Sequence, residues 1–298
     1  MRRGLSGTLA LGLALSASAS AFGAGNDFRL NSKLANGDGI FFSQAGNVFT
    51  SNPAVWNSFV GELSYVFAPR FVTPAETLGY AGFHVGLMYS ATFVSSNDPY
   101  WFSTENARDT GAPDGALQTL QLDVRKGLPG SLEIGLNLLW LANSSMFAPG
   151  LMLDWAMLEG YTYAPDVSLR AGVNTVVGMR DMDLTVAAFD LAISKGFGLG
   201  GMIHLAPYLS YSMMLSGAAS RVIDPTPEIE NDADRSIVMD KIGFGDLLQH
   251  RLTIGTRLLV YILSITLQGE FEFLRDDPDG RKLFGGVATV STKLGLDF

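Results

Sequence analysis

Residues Ser131 to Trp140 read SLEIGLNLLW, and taken in steps of two they separate into an apolar and a polar line. Leu132, Ile134, Leu136, Leu138 and Trp140 make the first; Ser131, Glu133, Gly135 and Asn137 make the second. A helix repeats every 3.6 residues and cannot sort a sequence this way, whereas a strand turns alternate side chains to opposite faces. The same split recurs. Leu120, Leu122 and Val124 oppose Thr119, Gln121, Asp123 and Arg125. Leu252, Ile254, Leu258, Val260 and Ile262 oppose Arg251, Thr253, Gly255 and Arg257, and Ile265, Leu267, Phe271 and Phe273 oppose Thr266, Gln268, Glu270 and Glu272. Strands of about ten residues with one apolar face are what a barrel needs to cross a bilayer.

Composition narrows the setting. Of 298 residues 47% are hydrophobic and only 16% charged, where about a quarter charged is usual for a soluble domain. The longest uninterrupted apolar run in the body of the chain, LLVYIL at Leu258 to Leu263, is far short of the ~18 residues of a membrane-spanning helix. The chain opens MRRGLSGTLALGLALSASASA, with Arg2 and Arg3 before a short apolar run and an Ala19-Ser20-Ala21 cleavage pattern, which reads as an export signal over residues 1–21. Without it, 18 basic residues face 29 acidic ones, a balance that excludes nucleic acid as a partner. There are no cysteines to form disulfides. An exported, apolar chain of alternating strands is expected to be a transmembrane antiparallel β-barrel in the outer membrane of a Gram-negative bacterium, with membrane lipid as its surroundings.

Turn residues order the strands. GLPGS near Pro129, YAPD at Tyr163 to Asp166, KGFGLGG near Gly198 and the Ile262-Leu263 step read as short turns. Residues 95–115, Asn143–Ala148, GMRDMD near Arg180, 216–246 and RDDPDG near Pro278 read as longer connections. Short turns belong on the periplasmic side and long loops outside. Counting back from Phe298 puts each connection on its expected side. With a downward strand at Phe59–Phe67 and an upward one at Gly39–Phe49, the total is about twelve. The expected organisation is a signal at 1–21, a periplasmic extension at 22–38 and a barrel at 39–298.

The last strand alternates Leu294, Leu296 and Phe298 with Lys293, Gly295 and Asp297. It resembles the C-terminal assembly signal of bacterial outer-membrane barrels, with Phe298 as the terminal aromatic, Leu296 two before it and Ser291 as the leading polar residue. Lys293 stands where that signal usually has glycine. The resemblance implies recognition by the barrel-insertion machinery. Phe28 to Trp56, through Leu30-Asn31 and Asn52-Pro53-Ala54, resembles the N-terminal hatch segment of long-chain fatty-acid transporters; residues forming such a plug would not be wall strands. The whole chain, small and acidic, is similar to barrel components of gliding-motility envelope machinery.

Parts for catalysis are few. Of three histidines, His84 falls on an inward position and reads as a hydrogen-bonded filler; no enzyme activity and no cofactor is expected. The acidic run Asp224 to Asp234 lacks the regular spacing of a calcium loop and reads as a solvated outer loop. Tyr100, Trp101 and Phe102 read as an interfacial group, a cap on the mouth or a partner surface. The clearest signal is inside: a lumen charge cluster of Arg251, Arg257, Glu270, Glu272, Arg125 and Glu133, and bulky inward residues including Tyr80, Met88, Tyr208, Met214, Leu259 and Tyr261. Such a lumen is expected to be narrow or plugged. The leading expectation is a scaffold with envelope-protein partners, the alternatives a narrow channel for small solutes and a carrier of hydrophobic compounds.

Overall fold

The computed structural model describes residues 24–45, 48–229, 236–277, 280–283 and 286–298, so the expected export signal lies outside the described residues. The first described elements are not part of any wall. Strands β1 (Phe42–Ala45) and β2 (Val48–Ser51) pair only with each other, and helix α1 (Pro53–Phe67) follows. The wall begins with β3 (Phe83–Phe93). A 3-10 turn (Pro99–Ser103) and α2 (Glu105–Thr110) lead to β4 (Ala116–Leu128), β5 (Leu132–Leu141), β6 (Phe147–Leu158), β7 (Asp166–Val176) and β8 (Met182–Ser194). The short β9 (Phe197–Leu199) precedes β10 (Ile203–Ser220), β11 (Leu248–Val260) and β12 (Leu263–Asp277); the short β13 (Gly280–Leu283) precedes β14 (Ala288–Asp297).

Each wall strand is antiparallel to the next, and β14 returns to pair with β3, which closes a barrel of ten strands with β9 and β13 as side pairings on β10 and β12. Phe83 and Phe298 exchange backbone hydrogen bonds at 2.6 and 2.9 Å to complete the final seam. The expected count of about twelve is therefore corrected: Gly39–Phe49 contributes to a separate hairpin, Phe59–Phe67 is helical, and the wall starts at Phe83 rather than at residue 39. The order of connections follows the sequence reading. Those after β4, β6, β8 and β11 are at one end, and those after β3, β5, β7, β10 and β12 are at the other. Residues 22–38, expected as an extension, pack from residue 24 onward against the barrel end that carries the connections after β5 and β7. Asn26 N bonds Asn143 O at 2.9 Å and Leu30 N bonds the Asp181 carboxylate at 2.8 Å, so this segment sits among the long loops.

The wall is polar inside and apolar outside. Thr119, Gln121, Asp123 and Arg125 of β4 are buried, while Leu122 is 48% and Leu136 62% exposed on the outer face. Burying polar groups without partners costs free energy, so this inversion requires a matching set of partners within the lumen and an apolar solvent around the wall. Exposed aromatics lie toward both rims, Phe93, Phe147 and Phe271 at the end of the long loops and Trp155, Phe197, Tyr261 and Phe298 at the other, and also in mid-wall at Tyr89, Phe189 and Tyr211.

Candidate functional site: the occupied lumen

The lumen is filled by the chain's own N-terminal segment. Asn52 caps α1 by accepting from Val55 N at 3.4 Å, and Pro53 occupies the first turn, where its missing N–H is not needed. The helix stops before Pro69, which cannot continue it. From Trp56 to Phe67 only Ser58 is not fully buried, because the barrel surrounds the helix on all sides. At the long-loop end Phe59 packs against Phe28, Phe41, Tyr100 and Trp101, with ring centroids 4.9 to 6.0 Å apart. Of the three aromatics read in that loop, Tyr100 and Trp101 are thus a cap over the helix. Both donate to Glu62 of α1, at 2.8 and 2.9 Å, and Ser95 N adds a third bond at 3.1 Å.

A helix that ends inside a barrel leaves carbonyl groups that water cannot reach. Wall and plug side chains satisfy them. Arg70 donates to Val66 O at 2.9 Å and Tyr65 O at 3.3 Å, Asn174 to Phe67 O at 2.9 Å, and Arg251 to Pro69 O at 2.8 Å. Both guanidinium groups also meet Glu270, each at 3.3 Å. Their positive charge at the helix C-terminus complements its dipole. Glu272 accepts two bonds from Arg275, each 2.8 Å, and one from Gln249. The register slips between His250 and Arg251, so that Arg251 faces Glu272 while His250 faces Leu274; this irregularity lets Glu272 and Arg275 both be buried. Gly61 makes room for that fork: a Cβ there would stand 2.8 Å from Arg275 Nη1.

Below the helix, residues 68–78 descend to the short-turn end. Arg170 binds Asp190 and donates to Thr73 O at 2.8 Å, with Phe71 beneath its guanidinium at 5.1 Å. Ala75 N bonds Ser194 Oγ at 3.0 Å, and Glu76 pairs with Arg257. Glu159 accepts from Thr77 N at 3.0 Å, Thr77 Oγ1 at 2.8 Å and Ser131 Oγ at 2.6 Å, and Glu133 accepts from Leu78 N at 3.1 Å. Burial pushes the Glu159 carboxyl up, but these donors outweigh it and hold it below the ordinary glutamate range.

The expected charge residues fall as follows. Arg251 and Glu270 meet as read, and Glu272 lies in the same cluster but is neutralised by Arg275. Arg257 is a correction: it is inward, but its partners are Glu76 and Asp297, because it sits opposite Thr266 nearer the short-turn end. Arg125 and Glu133 pair at 2.6 Å. They belong to a second network in which Asp123 receives Lys293 at 2.9 Å and His84 bridges Asp123 and Asp297. Tyr208 and Met214 are buried inward, whereas Tyr80 and Tyr261 are 73% and 76% exposed in turns and do not reach the lumen. Leu294, Leu296 and Phe298 line the outer face at the closing seam. Glu62, Arg70, Glu76 and Arg275 were missed, the first three because Phe59–Phe67 was read as a wall strand and the residues after it as a connection. A cavity of about 20 Å³ beside Arg70 and Asp123, room for about one water, separates plug from wall on one side.

No family model matches this chain, and no curated protein matches it. Among solved structures it is similar to outer-membrane and related bacterial barrels. The attachment invasion locus protein Ail of Yersinia pestis is 11% identical, covering 74% of this chain and 99% of that one with a TM-score of 0.25. The β domain of the Bordetella autotransporter BrkA is 13% identical over 73% of this chain and all (100%) of that one, TM-score 0.32. The Acinetobacter baumannii outer membrane protein Omp33 is 7% identical over 74% and 99%, TM-score 0.28.

Proposed function

We propose that the chain is an integral outer-membrane barrel, closed by its own N-terminal segment, that serves as a non-enzymatic anchor for a cell-envelope assembly. The observation that carries this reading is the occupied lumen. Helix α1 and residues 68–78 fill it, and from Pro69 to Glu76 ion pairs and backbone hydrogen bonds tie the plug to the wall. The outer membrane of a Gram-negative bacterium is where such an inverted wall belongs. A filled barrel offers loops rather than a pore, and the cap built from residues 24–38, Ser95–Ser103 and the long connections is the surface it presents. Scaffold components of gliding machinery, which the whole chain resembles, have this use for a barrel. His84 is held by two carboxylates and His250 by Tyr211. Crosslinking from the cap in whole cells, followed by mild extraction, should capture a defined envelope partner, and a barrel recovered only with itself would count against the scaffold.

A second reading is favoured by one observation: the stretch resembling a fatty-acid transporter hatch, Phe28 to Trp56, occupies the mouth and the top of the plug. On that reading the plug gates a route for hydrophobic compounds. Uptake of a fluorescent long-chain fatty acid by reconstituted vesicles would place it first.

A further inference from the structure

On the outer face, where β8, β10, β11, β12 and β14 adjoin, the apolar wall is indented by a trench of about 910 Å³. Its floor is made of outward positions with little side chain: Pro207, Thr256 beside it across the β10–β11 pair, and Gly269 one strand further. Ile254, Leu267 and Val290 stand along it as walls, each more than half exposed. Four inter-strand steps of ~4.8 Å give it a length of about 19 Å, comparable with the ~15 Å depth of one leaflet's hydrocarbon when run obliquely. One charged residue lines it, Lys195, at the short-turn rim. The Lys195 ammonium donates to Tyr161 O and Ala164 O, both at 2.7 Å, and has no carboxylate partner among the described residues. Its third N–H remains for an acceptor, and those two carbonyls fix the ammonium at the foot of the trench.

An apolar furrow of one leaflet's depth with a fixed cation at its interfacial end has the shape and charge of an anionic amphiphile. We propose that this trench binds one anionic glycerophospholipid of the short-turn-side leaflet, an acyl chain lying over Pro207, Thr256 and Gly269 and the phosphate on Lys195. The proposal rests on the outer-membrane reading above. The barrel supplies apolar contact and a single charge-assisted hydrogen bond, so selection is for the anionic phosphate rather than for chain identity.

The test is native mass spectrometry of the purified full chain, delipidated in neutral detergent and titrated with palmitoyl-oleoyl phosphatidylglycerol or the diacylglycerol of the same chains, which lacks the phosphate. Wild type should retain one phosphatidylglycerol about tenfold more tightly than the diacylglycerol, the ratio one charged hydrogen bond supports. Lys195→Gln should bring the two lipids to parity. Thr256→Trp, which fills the floor, should lose both, with Gly269→Phe as the second filling variant if the first does not assemble. Unchanged selectivity in Lys195→Gln, equal retention in the filled variants, or preference for a free fatty acid over the phospholipid would overturn the proposal. Heat-modifiable gel migration of the same samples reports the folded barrel. Its absence in wild type would instead remove the membrane-barrel reading, and this proposal with it.

Discussion

At the residue scale, Arg70 is the hinge of the arrangement: one guanidinium meets the last helix carbonyls, Glu270 and Thr92, all of it buried. Removing one partner of a buried ion pair leaves the other charge stranded, which costs about 3–5 kcal/mol. Arg70→Met should therefore lower the denaturation midpoint of the folded barrel far more than Arg221→Met, whose ion pair with Asp183 is exposed. Equal losses in urea titrations followed by gel migration would contradict the weight placed on Arg70. Glu159 gives a pH signature at the plug's exit. Its folded pKa lies below the ordinary value of 4.5, so its contribution is present above that value and lost as pH falls through the lowered one. Glu159→Gln should be less stable than wild type at neutral pH, and the difference should shrink below pH ~4. Thermal midpoints at both pH values check this, and a gap that widens in acid would refute it.

At the element scale, the wall strands were legible, whereas the helix within the plug was read as a strand. The inward column Thr119, Gln121, Asp123 and Arg125 is buried as its alternation required, because a strand in a barrel wall has two environments and must sort its residues between them. Phe59 to Phe67 misleads for a related reason. Phe59, Gly61, Leu63, Tyr65 and Phe67 alternate with Glu62 and Ser64 by chance, and a helix enclosed on every side shows no amphipathic stripe to oppose that pattern. The signals that could have separated them were the Asn52-Pro53 start and the Pro69 stop. Partner choice was harder to read: the Glu76–Arg257 pair joins residues 181 apart through a plug that alternation does not reveal. Helix packing yields its own test. Gly61→Leu would force the Arg275 fork off the helix, and overpacking of this kind costs typically 1–3 kcal/mol. Wild-type stability for Gly61→Leu would show that α1 does not lie against β12.

On the scale of the whole molecule, the turn signals placed the connections from β3 onward at alternate ends in the order the barrel shows, even though two strands were miscounted, since each turn is set by local chemistry. The closing seam is a property of the whole barrel as well. Phe298 supplies both backbone bonds of the last rung and packs its ring on Phe83 at 5.3 Å. Phe298→Ala should reduce the yield of assembled barrel relative to unfolded chain in membrane fractions, and equal assembly would show that the terminal aromatic is dispensable.

The central claim, that residues 53–78 close the lumen, is tested most directly by single-channel recording in planar bilayers, comparing wild type with a chain that lacks residues 24–75 but retains the wall. Wild type should show no steady conductance, and the truncated chain, once heat-modifiable migration confirms its barrel, should show open, salt-proportional steps. A wild type that conducts steadily, or a folded truncated barrel that remains silent, would contradict the account.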